Sequence, residues 1–255
     1  LTGNGMWHTQ ETEDLPSVHL SDGPHGLRKQ EEKERQNNVS LVSTCYPTAS
    51  ALACSWDVTA AERLGRAVAK EAWNADVAVL LGPGINMKRS PLCGRNFEYF
   101  SEDPFLAGRL GAAYVSAAQG EDVAVSLKHF AANNQETNRQ TSNSQIDERA
   151  LREIYLSAFE YVVKTARPAT IMASYNRLNG YYACENRHLL TEILREEWGF
   201  DGVVISDWGA CADLAKAVKA GMDLEMPDGH GIHARKLKAA LKACLLYTSP
   251  SPRDS

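Results

Sequence analysis

The stretch Gly202-Val-Val-Ile-Ser206 runs straight into Asp207-Trp-Gly209. A short β-branched apolar run ending in a polar cluster is how a buried parallel strand delivers side chains at its C-terminal end. The habit repeats along the chain. Residues 18–21 lead into Asp22-Gly-Pro-His-Gly26, and residues 77–81 into a long loop with Lys88-Arg89 and Gly94-Arg-Asn-Phe-Glu98. Residues 123–126 deliver Lys128-His129, with Arg139 further on, and residues 170–174 give Met172-Ala-Ser-Tyr175-Asn176. Segments with 3.6-residue periodicity lie between them, at 58–73, 104–119, 148–165, 187–198 and 211–220, and a sixth strand is predicted at 222–225. The alternation predicts an α/β fold, a TIM-type (β/α)8 barrel that is incomplete here, with about six βα units before the chain ends. Local signals agree: Asp57 is placed to cap the helix at 58, Pro104 follows Asp103 at a first helical position, and Gly221 follows Ala220 as a stop.

Composition excludes several classes. The 255 residues carry 27 Lys and Arg against 32 Asp and Glu, with no basic stripe, so nucleic acid is not an expected partner. With 44% hydrophobic residues the chain can bury a core, yet its longest apolar runs, such as 77–81, fall far short of the roughly 20 residues that span a bilayer. Six cysteines include no CxxC pair; buried free thiols are expected for the first five, which favours a reducing compartment. No glycine-rich phosphate loop and no metal-ligand spacing is present, so no nucleotide cofactor and no metal are expected. The charged stretch 28–38 reads as a solvated loop. At the other end, Cys244-Leu-Leu-Tyr-Thr-Ser-Pro-Ser-Pro-Arg-Asp254 joins a helical pattern abruptly and resembles the translation of a transposase adapter used in sequencing libraries. Residues 244–255 are therefore expected to be a disordered artefact and 1–243 a partial domain, with the genuine protein continuing further. An unclosed barrel of this kind would expose an edge strand.

Taken singly, the polar residues have plain readings. Asp22-Gly-Pro can be a turn, Asp207 a helix cap, His129 a core or capping histidine, and Trp208 core. Together they form a set of carboxylates, guanidiniums, a Lys-His pair and aromatics that suits a ligand rich in hydroxyls, with Trp208 able to stack on a sugar ring. A glycosidase needs a carboxylate below the anomeric carbon and a second acid on the leaving-group side. Asp207 can supply the first. Glu98, Glu102, Asp103 and Glu136 lie in loops on the same face, and none is singled out as the second.

The strings Ser21-Asp-Gly-Pro-His-Gly26, Gly94-Arg-Asn-Phe-Glu98 with Ser101-Glu-Asp-Pro104, Lys128-His-Phe130, Met172-Ala-Ser-Tyr-Asn176 and Ser206-Asp-Trp-Gly209, in this order, resemble the N-terminal catalytic barrel of glycoside hydrolase family 3, nearest to its bacterial β-glucosidases. The resemblance implies a retaining, exo-acting hydrolase that releases terminal β-D-glucose from a small β-glucoside or oligosaccharide, without metal or organic cofactor. It assigns Asp207 as nucleophile and Trp208 as a flank of the sugar subsite. Asp22, Arg95, Lys128, His129 and Arg139 become hydroxyl-binding residues, and Met172 and Tyr175 line the nucleophile's side, the tyrosine hydrogen-bonding it. In the family's β-glucosidases the general acid/base is a glutamate of a second α/β domain, so no residue here takes that role and this chain alone is expected to be inactive. The branch that removes N-acetylglucosamine carries a His-rich loop where this chain reads Ala131-Ala-Asn-Asn-Gln-Glu136, and is not implied. β-Xylosidase or α-arabinosidase activity, or an inactive sugar-binding fragment, are the alternatives. A bacterial cytoplasmic location and no membrane association are expected.

Overall fold

In the computed structural model, residues 2–30, 39–229 and 231–242 are described. The tail 244–255 and residues 31–38 of the charged loop lie outside them. The centre is a five-stranded parallel sheet whose spatial order is its chain order. Its strands are β1 (Leu20–Asp22), β2 (Val79–Leu81), β3 (Ala124–Phe130), β4 (Thr170–Ala173) and β5 (Val203–Ser206). The crossovers carry helices α1 (Val58–Asn74), α2 (Pro104–Gln119), α3 (Ser157–Ala166) and α4 (His188–Glu197), and after β5 come α5 (Leu214–Ala220) and α6 (Ile232–Lys242).

Side chains alternate across each strand, as the pleat requires. Leu80, Val125, Leu127, Ile171, Ala173 and Val204 join the large apolar core shared with the helices. Leu20, Val79, Leu81, Met172, Ile205 and Met226 form a second, inner cluster. That cluster draws residues from both outer strands, β1 and β5, as well as from β2 and β4.

The start and stop signals act as expected. The Asp57 carboxylate accepts from the Thr59 amide, Asp103 from that of Phe105, and Gly221 ends α5 with a φ of 104°. Differences fall at the ends. The helix predicted at 148–165 begins as a turn at Glu148–Ala150, widens to π-type winding at Leu151–Tyr155, and only then becomes α3; α4 is π-wound throughout. α5 starts at Leu214, capped by Asp213, rather than at 211.

The sixth predicted strand, 222–225, does not join the sheet as a strand. Leu224 makes one parallel bridge to Ile205, and Glu225 one to Thr2. A hairpin of Gly3–Asn4 and His8–Thr9 then connects onward, with Gly3 donating its amide to Glu225 O (2.8 Å) and Leu20 donating to Trp7 O (2.8 Å). Among the described residues both outer strands of the sheet thus have a partner, and the expectation of an exposed edge is not met. The first ten residues show no apolar alternation long enough to announce this role.

Of the first five cysteines, Cys93, Cys184 and Cys211 are buried as expected, whereas Cys45 and Cys54 are exposed. Both lie in or beside the short helical segment around Ala49–Ala53, which covers the core with its alanines and leaves neighbouring side chains outside. No helix among the described residues is long and apolar enough to cross a membrane.

α1 lies against the backbone of α2 at Gly65, where an added Cβ would stand 2.4 Å from the Tyr114 carbonyl oxygen. Gly65→Ala is therefore expected to force the helices apart and to cost about 1–3 kcal/mol, lowering the denaturant midpoint without changing the m-value. An unchanged midpoint would show that the pair can slide freely.

Candidate active site

The C-terminal ends of the strands open into a cavity of about 240 Å³. β1 ends there with Asp22, β2 with Leu81, and the loop after β2 returns Arg95. β3 gives both Lys128 and His129. Consecutive residues of a regular strand point to opposite faces; here the pairing with β4 shifts register between Leu127 and Phe130, and that irregularity turns both side chains inward. Arg139 comes from the following loop, Met172 from β4, Tyr175 from just beyond it, and Asp207 and Trp208 from the end of β5. All nine residues singled out from the sequence line this one cavity. The turn of the N-terminal hairpin adds Met6 and Trp7, which the sequence reading did not identify.

An ionic lattice fixes the floor. Lys128, 3% exposed, donates to Asp22 Oδ1 at 3.0 Å and stands 3.7 Å from Glu98 Oε2. Glu98, 5% exposed, also accepts from Arg95 Nε. Burial works against the Lys128 ammonium, but Asp22 and Glu98 outweigh it and raise the group above its ordinary range. For Asp22, burial acts upward and Lys128 outweighs it, holding the carboxyl below the usual range. Arg139 pairs with Glu136 at 2.8 Å and lies 4.3 Å over the Tyr175 ring.

His129 is neutral. Arg95 Nη2 lies 2.7 Å from its Nε2, and a guanidinium can only donate, so Nε2 accepts and Nδ1 carries the proton toward the Tyr99 hydroxyl at 3.0 Å. Burial, then the charges of Arg95, Lys128 and Arg139, push the imidazole well below its ordinary value. The approach of His129 Nε2 to Asp207 Oδ2, 3.8 Å, is accordingly not an ion pair. Asn86 clamps the backbone beneath, donating to His129 O (2.8 Å) and accepting from His129 N (2.7 Å).

Asp207 is 6% exposed. Its Oδ1 accepts from the Trp208 amide at 2.7 Å, while Oδ2 is buried with no hydrogen-bond partner. Burial raises its carboxyl above the usual range, against the pull of Arg95, the Trp208 amide, Lys128 and Tyr175. Asp207 caps no helix, since the next one begins at Leu214 under Asp213. Tyr175 stands within side-chain hydrogen-bonding reach of Asp207, as expected, and lowers that carboxyl, while its hydroxyl also lies 2.8 Å from Trp208 O. Trp208 donates from its indole to Met6 O (2.8 Å) and tilts against Trp7 with ring centres 5.3 Å apart. The two indoles form an apolar wall beside the carboxylates and cations.

None of the four loop acids considered as a second acid lines the cavity. Glu98 and Glu136 are committed to arginines, Asp103 caps α2, and Glu102 is exposed. The supporting role of Glu98 was legible in part, because it follows Arg95 by three residues in one of the quoted strings; Tyr99 and Asn86 carried no signal.

A buried carboxylate with one free oxygen, fixed cationic donors and an apolar aromatic wall give the cavity a lining suited to a polyhydroxylated ring. Residues 24–247 match the model of the glycosyl hydrolase family 3 N-terminal domain, and the chain belongs to that family. It is 53% identical over 246 residues, 95% of its length, to the thermostable beta-glucosidase B of Acetivibrio thermocellus, covering 33% of that protein. It is 50% identical over 234 residues, 90% of its length, to an exo-alpha-(1->6)-L-arabinopyranosidase of Bifidobacterium longum, covering 31% of it. The crystal structure of a Kluyveromyces marxianus beta-glucosidase in complex with glucose superposes with a TM-score of 0.92 at 40% identity, over all of this chain and 30% of that one. The chain thus spans about a third of the length of these relatives.

Proposed function

We propose that this chain is the sugar-binding barrel, of (β/α)8 type, of a retaining, exo-acting β-glucosidase, with Asp207 as its nucleophile. The observation that carries the reading is the partnerless Oδ2 of Asp207, buried at the floor of the cavity between cationic side chains and the Trp208 indole. In the proposed reaction Oδ2 attacks the anomeric carbon of a terminal β-D-glucosyl unit. The bond to the aglycone oxygen breaks as a glutamic acid of a second domain protonates that oxygen. Water then attacks the glycosyl ester, the glutamate takes its proton, and Asp207 leaves as a carboxylate. Asp22, Arg95, Lys128, His129 and Arg139 hold the sugar hydroxyls, Met172 and Tyr175 line the side of the nucleophile, and Trp208 covers the ring.

A 2-deoxy-2-fluoro-β-glucosyl donor with a good leaving group tests this directly. In the complete enzyme it is expected to leave one fluoroglucosyl group on the peptide containing Asp207, read by mass spectrometry. An adduct on another residue would reject the assignment. The Bifidobacterium longum relative favours a second reading, in which the pocket accepts a pentopyranoside. Rates on aryl β-D-glucopyranoside, β-D-xylopyranoside and α-L-arabinopyranoside separate the two, and the glucoside is expected to be fastest.

A further inference from the structure

Outside the cavity, three chain segments bring together side chains that the proposed reaction does not use. The Cys211 thiol, from the loop after β5, a carboxylate oxygen of Glu225 and a ring nitrogen of His233, on α6, lie within 4.8 Å of one another. Cys211 is 5% exposed and Glu225 3%. Glu225 Oε1 is paired with His233 Nδ1, but its Oε2 is buried with no hydrogen-bond partner. A carboxylate oxygen taken out of water without a donor is costly, and a thiol is only a weak donor. A Glu225–His233 pair alone accounts for one oxygen and leaves the other without a partner.

Sulfur, imidazole nitrogen and carboxylate oxygen are together the donor set of a zinc-class ion, bound at about 2.0–2.3 Å with ligand atoms roughly 3.3–3.8 Å apart. We propose that Cys211, Glu225 and His233 form a binding site for a divalent ion of the zinc class, with water in the fourth position. Binding exchanges protons for metal: the thiol proton is released to solvent, and the proton held between His233 and Glu225 passes to the ring nitrogen that does not bind the ion. The site ties α6 and the Leu224–Glu225 segment to the loop that carries Asp207 and Trp208. It would reinforce an existing stitch there, since Gly209 already donates to Met226 O at 2.8 Å. The proposal is independent of the hydrolase reading.

The test uses the full chain with Cys45→Ser, Cys54→Ser and Cys244→Ser, so that the exposed thiols and the thiol of the tail do not report. After chelation, Zn²⁺ is titrated against an indicator, and Co²⁺ is added separately to read thiolate-to-metal charge transfer in the near ultraviolet. One equivalent of Zn²⁺ is expected, with a rise in thermal midpoint and a Co²⁺–thiolate band. His233→Ala, at a partly exposed helix position, is expected to weaken binding at least about tenfold. Cys211→Ser is expected to remove the band. No stoichiometric binding, or binding unchanged by His233→Ala, would overturn the proposal whether or not Cys211→Ser folds.

Discussion

Replacing Asp207 by alanine in the complete enzyme is expected to lower kcat by on the order of 10⁴-fold or more, the scale on which removal of a covalent nucleophile acts. Glucose binding, followed by calorimetry, should survive in weakened form, because Asp22, Lys128 and Arg95 remain in their lattice. Retained turnover would remove Asp207 from the mechanism. The same carboxyl sets a pH dependence with a definite sign. Burial raises it in the folded state, so the fold prefers its protonated form. Its ionisation therefore costs stability as pH rises from the unfolded value through the raised folded one. Asp207→Asn is expected to unfold at a higher temperature than the parent at neutral pH, and this advantage should vanish in acid, below both values. The acid limb of kcat/KM in the parent should likewise lie above the ordinary carboxylate range.

The second large effect is expected at Glu98, which touches neither cavity nor proposed substrate. Glu98→Gln keeps the shape of the side chain and removes the charge between Arg95 and Lys128. Breaking a buried ionic cluster from one side typically costs about 3–5 kcal/mol, because the remaining charges stay desolvated. For a chain of this size that corresponds to a fall in Tm on the order of 10 °C. KM should rise as well, since both cations lose the group that aims them. A shift of only a degree or two would mean that Asp22 alone satisfies Lys128.

The strands and most helices were legible because their signals are local. Val203–Ser206 is apolar and β-branched, Asp57 and Asp103 stand at helix starts, and Gly221 supplies the left-handed stop. Seven of the nine candidate residues stand in or just beyond strand ends, where a parallel sheet collects them in space, whereas Arg95 and Arg139 come from loops and were pointed to by the family resemblance. What escaped depends on distance along the chain. Trp7 reaches the cavity only through bridges to residues far from it, and the triad of Cys211, Glu225 and His233 is spaced by fourteen and eight residues, a pattern with no local period. The partial failure at 222–225 has the same origin: apolar content indicates burial, but only Leu224 and Glu225 find strand partners. The exposure of Cys45 and Cys54 was likewise invisible, since a thiol's burial is decided by which face of a short segment meets the core.

The hydrogen bond from Gly3 to Glu225 spans 222 positions of the chain. At about 5–20 residues per second of synthesis, Gly3 leaves the ribosome roughly 10–45 s before its partner exists. During that interval Gly3 waits for its partner, while Trp7, His8 and Thr9 can already pair with residues 18–20 as β1 to β5 assemble in order. Met6 and Trp7 sit between the early attachment at Leu20 and the late one at Glu225, so the wall they give the cavity is completed only once Trp208 and Glu225 have been made.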